Sequence, residues 1–152
     1  MFNLGRFLAP FRRKSLTPYE IALDALARGR FAEALERLDE LLSDGSLARE
    51  QRAAMTNKRG VALVSLQRPE DARRAFEAAL EIKPRFAPAL VNIGNLLLES
   101  GELEAAVAQY EAAIAADDRY APAHHNLAVA YKRLGRTADS VRALRRAHKL
   151  LH

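Results

Sequence analysis

Among the side chains that could do chemistry, the four histidines come first. His124 and His125 are adjacent. On a helix such neighbours point in different directions, so they cannot share a metal ion. His148 and His152 are four apart and could, but two ligands fall short of a metal site's usual three or four. The chain has no dense cluster of His, Asp and Glu, no Ser/His/Asp set and no glycine-rich phosphate loop. It has no cysteine, which excludes disulfides, thiol catalysis, cysteine metal sites and a cysteine-linked lipid anchor. The expectation is no catalysis, no cofactor and no metal. What remains is binding through amides, charges and apolar faces.

The elements that carry these groups follow a fixed step. Gly60, Gly94 and Ala128 are 34 residues apart, and so are Ala72, Ala106 and Ser140. Phe76, Tyr110 and Leu144 keep the same step, as do Ala79, Ala113 and Ala147. Gly101 and Gly135 repeat with it, Gln67 standing in the equivalent place upstream. Ala87–Tyr120 shows the unit most clearly: two short amphipathic helices joined by a tight glycine turn. A 34-residue period of helix–turn–helix is a sequence signature of a stacked array. Small residues let paired helices approach, and the large side chain is expected to fill the gap between successive units.

This pattern resembles the tetratricopeptide repeat. The family's large, apolar-small and large first-helix positions are Leu90, Ile93-Gly94 and Leu97. Its small, aromatic and small second-helix positions are Ala106, Tyr110 and Ala113, and its closing proline is Pro84 in the repeat before. The resemblance implies an all-α, right-handed α-solenoid of about four helix pairs. Residues 16–48 form a degenerate first repeat, and 53–86, 87–120 and 121–152 form regular ones. Gly29 to Gln67 is 38 residues, four above the period, and the excess falls at Ser43–Ser46, where a longer loop or an extended helix start is expected. Thr17-Pro18-Tyr19-Glu20 reads as a helix start with a capping box.

The resemblance also implies a concave groove lined by the first helices, taking an extended or helical peptide. Carried over position by position, the groove-facing residues are Asn57, Lys58, Val61 and Val64 in the second repeat. In the third they are Val91, Asn92, Asn95, Leu98 and Glu99. In the fourth they are His125, Asn126, Val129, Lys132 and Arg133. Asn92 and Asn126 occupy the same place in successive repeats. An amide there can both donate to and accept from a peptide backbone; the alternative is an asparagine satisfying helix-end groups within its own repeat. Asn95 and Asn126 fit part of the clamp by which some members hold a C-terminal carboxylate, but its basic residues are missing. Arg59 replaces a usual large apolar residue. Either its stem lies on the core with the guanidinium in water, or it makes a buried ion pair or ligand contact.

Residues 1–15 stand outside the repeats. Leu4, Phe7, Leu8 and Phe11 have helical apolar spacing, Phe2 adds to them, and Arg6, Arg12, Arg13 and Lys14 bring four positive charges and no acid. The basic residues follow a broken apolar part, the reverse of a secretory leader. Three readings stand: a bare tail, a segment docking on a groove, or an anchor on an anionic membrane surface. No apolar run approaches the ~20 residues of a membrane span. The expected place is cytoplasmic, with the inner membrane face as the peripheral alternative. Arginine outnumbers lysine 19 to 5, the composition associated with a GC-rich bacterial genome.

Charge comes in blocks: +4 over residues 1–18, −4 over 19–48, +4 over 49–86, −5 over 87–120 and +6 over 121–152. The plain reading is solvated faces with complementary neighbours; the other is attraction between the ends of different copies. The last helix is expected to expose some of Val141, Leu144, Leu150 and Leu151, which favours self-association. The chain is thus expected to be a binding scaffold for a protein or peptide. A membrane-surface adaptor held by residues 1–14 is the second reading, and a nucleic-acid module using the basic last repeat the third. Exposed interleaved aromatics are missing, which counts against the third.

Overall fold

The computed structural model describes residues 16–152. The expected attachment residues Phe2, Leu4, Phe7, Leu8, Phe11, Arg12, Arg13 and Lys14 lie outside that range. Eight helices follow: α1 (Pro18–Ala27), α2 (Phe31–Ser43), α3 (Arg49–Ser65), α4 (Pro69–Ile82), α5 (Ala87–Glu99), α6 (Leu103–Ala116), α7 (Ala121–Arg133) and α8 (Thr137–Leu151). There is no strand among the described residues. Each odd helix pairs with the even one after it, and each even helix packs on the next odd one. Successive first helices also touch, α3 with α5 and α5 with α7. No two of α4, α6 and α8 touch as extensively, so the stack bends with its first helices inside. This is the all-α solenoid that the 34-residue period calls for.

Local chemistry explains where each helix starts and stops. Thr17 opens α1 with the expected capping box: its hydroxyl accepts from the Glu20 N–H at 3.2 Å, and its own N–H donates to the Glu20 carboxylate at 2.7 Å. Each hairpin turns on a residue with positive φ: Gly29, Gln67, Gly101 and Gly135. The N–H after each turn residue reaches back across the helix end, as in Arg68 N–H to Leu63 O and Glu102 N–H to Leu97 O. Gln67 holds φ 58° with a side chain, where the other three turns use glycine. That conformation costs an ordinary residue on the order of 1–2 kcal/mol. Gln67→Gly is therefore expected to raise the midpoint of urea unfolding, by up to about 1 kcal/mol of stability once glycine's extra chain entropy is counted. A lowered midpoint would show that Gln67 is held by more than its backbone.

Of the two expected places, the four extra residues between the first and second pairs go into the start of α3. Asp44–Ala48 is non-helical, and α3 has 17 residues where α5 and α7 have 13. Arg52 holds the junction, donating to the carbonyls of Leu42 at 2.9 Å and Asp44 at 2.8 Å. Arg59 lies between its two readings. Its Nε meets Asp39 Oδ1 at 2.6 Å, an ion pair joining α3 to α2, with both side chains partly in water.

The core is a stripe from Leu63 through Ile93, Leu97, Tyr110 and Leu127 to Ala143. A smaller cluster of Ala22, Leu38 and Met55 sits under the first pair. The aromatic rings do more than fill gaps between units: Phe76 lies on Gly60 and Tyr110 on Gly94, each inside its own pair. A Cβ at position 94 would stand 2.5 Å from Tyr110 Cε1. Only glycine lets the ring come this near the backbone of the first helix. Among the described residues no helix is long and apolar enough to cross a membrane.

Candidate peptide groove

Three helices build the candidate site, because α3, α5 and α7 stand side by side along the inner face. Their repeat register turns Val61 and Val64 out of α3, Asn92, Asn95 and Glu99 out of α5, and His125, Asn126 and Val129 out of α7. Val61, Val64, Ser65, Asn92, Asn95, Leu96 and Glu99 line a pocket of about 150 Å³ floored by Phe76. Val61 and Val64 are 38% and 40% exposed, large apolar side chains left open to water on a groove wall.

The asparagines link across the repeats. Asn92 Nδ2 donates to Asn57 Oδ1 at 2.9 Å, and Asn126 Nδ2 donates to Asn95 Oδ1 at 2.8 Å. Asn95 Oδ1 also accepts from the Tyr110 hydroxyl at 2.9 Å. Neither sequence reading had this arrangement: the amides satisfy one another between neighbouring first helices. The bonds still leave something to offer. Asn95 Nδ2 keeps its donors and Asn92 Oδ1 its acceptor capacity, and both residues line the pocket. One donor and one acceptor three residues apart on α5 match the C=O and N–H of a peptide backbone.

Several expected groove residues stand elsewhere. Val91 and Leu98 are buried in the main core, so they support the groove from beneath. Asn57 is also buried and is occupied by Asn92. Lys58 and Val129 are half-buried, whereas Glu99, His125, Lys132 and Arg133 are exposed. Arg133 is partly committed, since its Nη1 donates to Leu98 O at 3.0 Å and caps the end of α5. The repeat register did not bring forward Ser65, Leu96, Phe76 or the Tyr110 hydroxyl. The last left a signal, because a buried tyrosine hydroxyl needs a partner and its counterpart Phe76 does not. Burial pushes the Tyr110 hydroxyl up to about 12, with Glu99 adding to the shift and Arg133 opposing it.

The amide links change what removing them should do. If Asn92 and Asn126 served a ligand alone, replacing both with alanine would weaken binding and spare stability. Each carries an inter-repeat hydrogen bond, so a loss of about 0.5–1.5 kcal/mol per site is now expected in chemical denaturation. An unchanged midpoint would mean that water replaces the amides at no net cost.

His148 and His152 do come together, with ring centroids 4.5 Å apart. No group of three or more metal-ligating side chains occurs among the described residues.

Comparison with known proteins agrees with the geometry. A family model described as tetratricopeptide repeat matches residues 19–88, and another of that description matches residues 125–151. A third, described as TPR repeat, matches residues 94–135. Among solved structures, MamA 41-end from Desulfovibrio magneticus RS-1 is 26% identical, with a TM-score of 0.67 over 88% of this chain and 73% of that one. YrrB, described as a TPR protein with an unusual peptide-binding site, is 22% identical, with a TM-score of 0.65 over 88% of this chain and 66% of that one. The second TPR of Spaghetti (RPAP3), bound to the HSP90 peptide SRMEEVD, is 20% identical, with a TM-score of 0.62 over 66% of this chain and 94% of that one. At such identities the last two show likeness of fold.

Proposed function

Because the chain belongs to the tetratricopeptide-repeat family, we propose that it is a non-catalytic interaction scaffold whose inner groove holds an extended peptide of a partner protein. The observation that carries this reading is the pocket between α3 and α5. It joins exposed Val61 and Val64 to an uncommitted amide donor on Asn95 and an acceptor on Asn92. An apolar side chain of the ligand enters against the valines and Leu96 while its backbone meets the two amides. Glu99 at the rim favours a ligand with a basic residue next to the apolar one. Two of the structural relatives are described with a peptide site or a bound peptide, which supports a groove reading here.

Selection from a displayed random-peptide library on the immobilised chain tests the proposal. Enrichment of peptides with an apolar residue beside a basic one is expected, with affinity falling in Glu99→Lys. No enrichment above an unrelated helical protein, or enriched peptides indifferent to Val64→Glu, would refute it.

A further inference from the structure

The packing of α7 on α6 shows what a finished junction looks like. On α6, Val107 and Tyr110 are 8% and 0% exposed. The repeat step carries these positions to Val141 and Leu144 of α8, which are 41% and 44% exposed, and Leu151 farther along that helix is 70% exposed. The same step carries Glu111, whose carboxylate accepts from the Tyr131 hydroxyl of the following helix at 2.9 Å, to Arg145. Arg145 has no ion pair or hydrogen bond among the described residues. The α8 face has the apolar positions of a junction and, among the described residues, no first helix upon it.

Charge decides what fits there. Residues 121–152 carry +6, with Arg142, Arg145, Arg146 and Lys149 all on α8. A second α8 would set like charges together, and residues 1–15 hold four cations and no acid. The pair α1–α2 is the opposite, with seven acids against three arginines over residues 19–48. Among the described helices α1 is also the first helix with no second helix packed before it. We propose that the α8 face accepts α1 of a second copy of this chain, so that copies add head to tail. Counting back by the turn residues sets Pro18 and Ile21 of α1 in the places of His124 and Leu127 of α7. Those two line one cleft with Ile114 of α6. The two surfaces differ, so the contact is heterologous and each copy offers both ends. The groove pocket lies on α3 and α5, and this contact does not depend on it.

Sedimentation of the full chain over a range of concentrations reads the contact. The mass is expected to exceed one copy, to grow with concentration and to fall with added salt. Leu144→Glu and Ile21→Arg are each expected to run as one copy with helical content unchanged. Mixed together they should recover a two-copy species, since one intact tail meets one intact head. If Ile21→Arg does not fold, Pro18→Arg, at the exposed first position of α1 that the same count places in the contact, takes its place. An intact chain of single-copy mass throughout overturns the proposal. So does association that survives Leu144→Glu, or that is lost with Leu144→Glu but kept with the α1 variant, the mark of another occupant on α8.

Discussion

Replacing Tyr110 with alanine is expected to lower the unfolding free energy by about 3–5 kcal/mol, the usual cost of emptying a buried aromatic site. That is a large part of the roughly 5–15 kcal/mol that holds a domain together. The ring is fully buried, lies on the bare backbone of Gly94 and is among the largest enclosed side chains. Its hydroxyl also holds Asn95, which in turn receives Asn126. Tyr110→Phe keeps the ring and loses only that bond, for about 0.5–1.5 kcal/mol. Gly94→Ala is expected to cost about 1–3 kcal/mol through overpacking, more than the ~1 kcal/mol that alanine gains over glycine in a helix. Urea unfolding followed by circular dichroism ranks the three. An alanine variant within about 1 kcal/mol of the intact chain would remove the ring from its central place. The hydroxyl adds a pH signature. Its folded value is raised to about 12 from the ordinary 10.0, so its stabilising effect is fully present below pH 10 and is lost as pH climbs through about 12. Tyr110→Phe should flatten that alkaline decline.

The second large effect is expected in binding, with stability spared. Val61→Glu together with Val64→Glu should weaken a selected peptide about tenfold to a hundredfold. This is the loss of one apolar side chain's burial, roughly 1.5–3 kcal/mol. Both valines are exposed in the free chain, so the fold loses little when they change. Isothermal titration with the selected peptide measures the first quantity, and a thermal melt of the same samples measures the second. Unchanged affinity with an unchanged melt would move the ligand off this pocket. Phe76, beneath the same pocket, should behave otherwise: it is buried, and its loss should appear in the melt.

The array was legible because it repeats. Turns at Gln67, Gly101 and Gly135 and small residues at Gly60 and Gly94 follow from one period and from sterics, and the Gly29 turn, four residues out of step, from glycine itself. The amide links escaped for the opposite reason. Asn57 and Asn95 stand at different places in their repeats, so each link joins unlike positions, with separations of 35 and 31 residues. A periodic reading finds what successive units share, and these bonds depend on what they do not share. Val91 and Leu98 were misassigned by a smaller angle. With 3.6 residues per turn, neighbours on α5 are about 100° apart, so a residue beside a groove position can belong wholly to the core. Phe76 was legible as a core residue, but its second role as a pocket floor needs the separation of α3 and α5, which no single helix encodes.

The division of the core into two clusters gives the chain a direction. Leu63 through Ala143 form one continuous body, to which the first pair adds Leu35 at its margin. Ala22, Leu38 and Met55 form a separate and smaller body with Tyr19, Leu26 and Leu41 around it. Met55 of α3 ties the smaller body to the second pair across the Asp44–Ala48 loop, which the two carbonyl bonds of Arg52 hold. Under mechanical load the α1–α2 hairpin, which rests on the smaller of the two bodies, is expected to peel away first as a unit, a step that single-molecule stretching would resolve before the later pairs unzip.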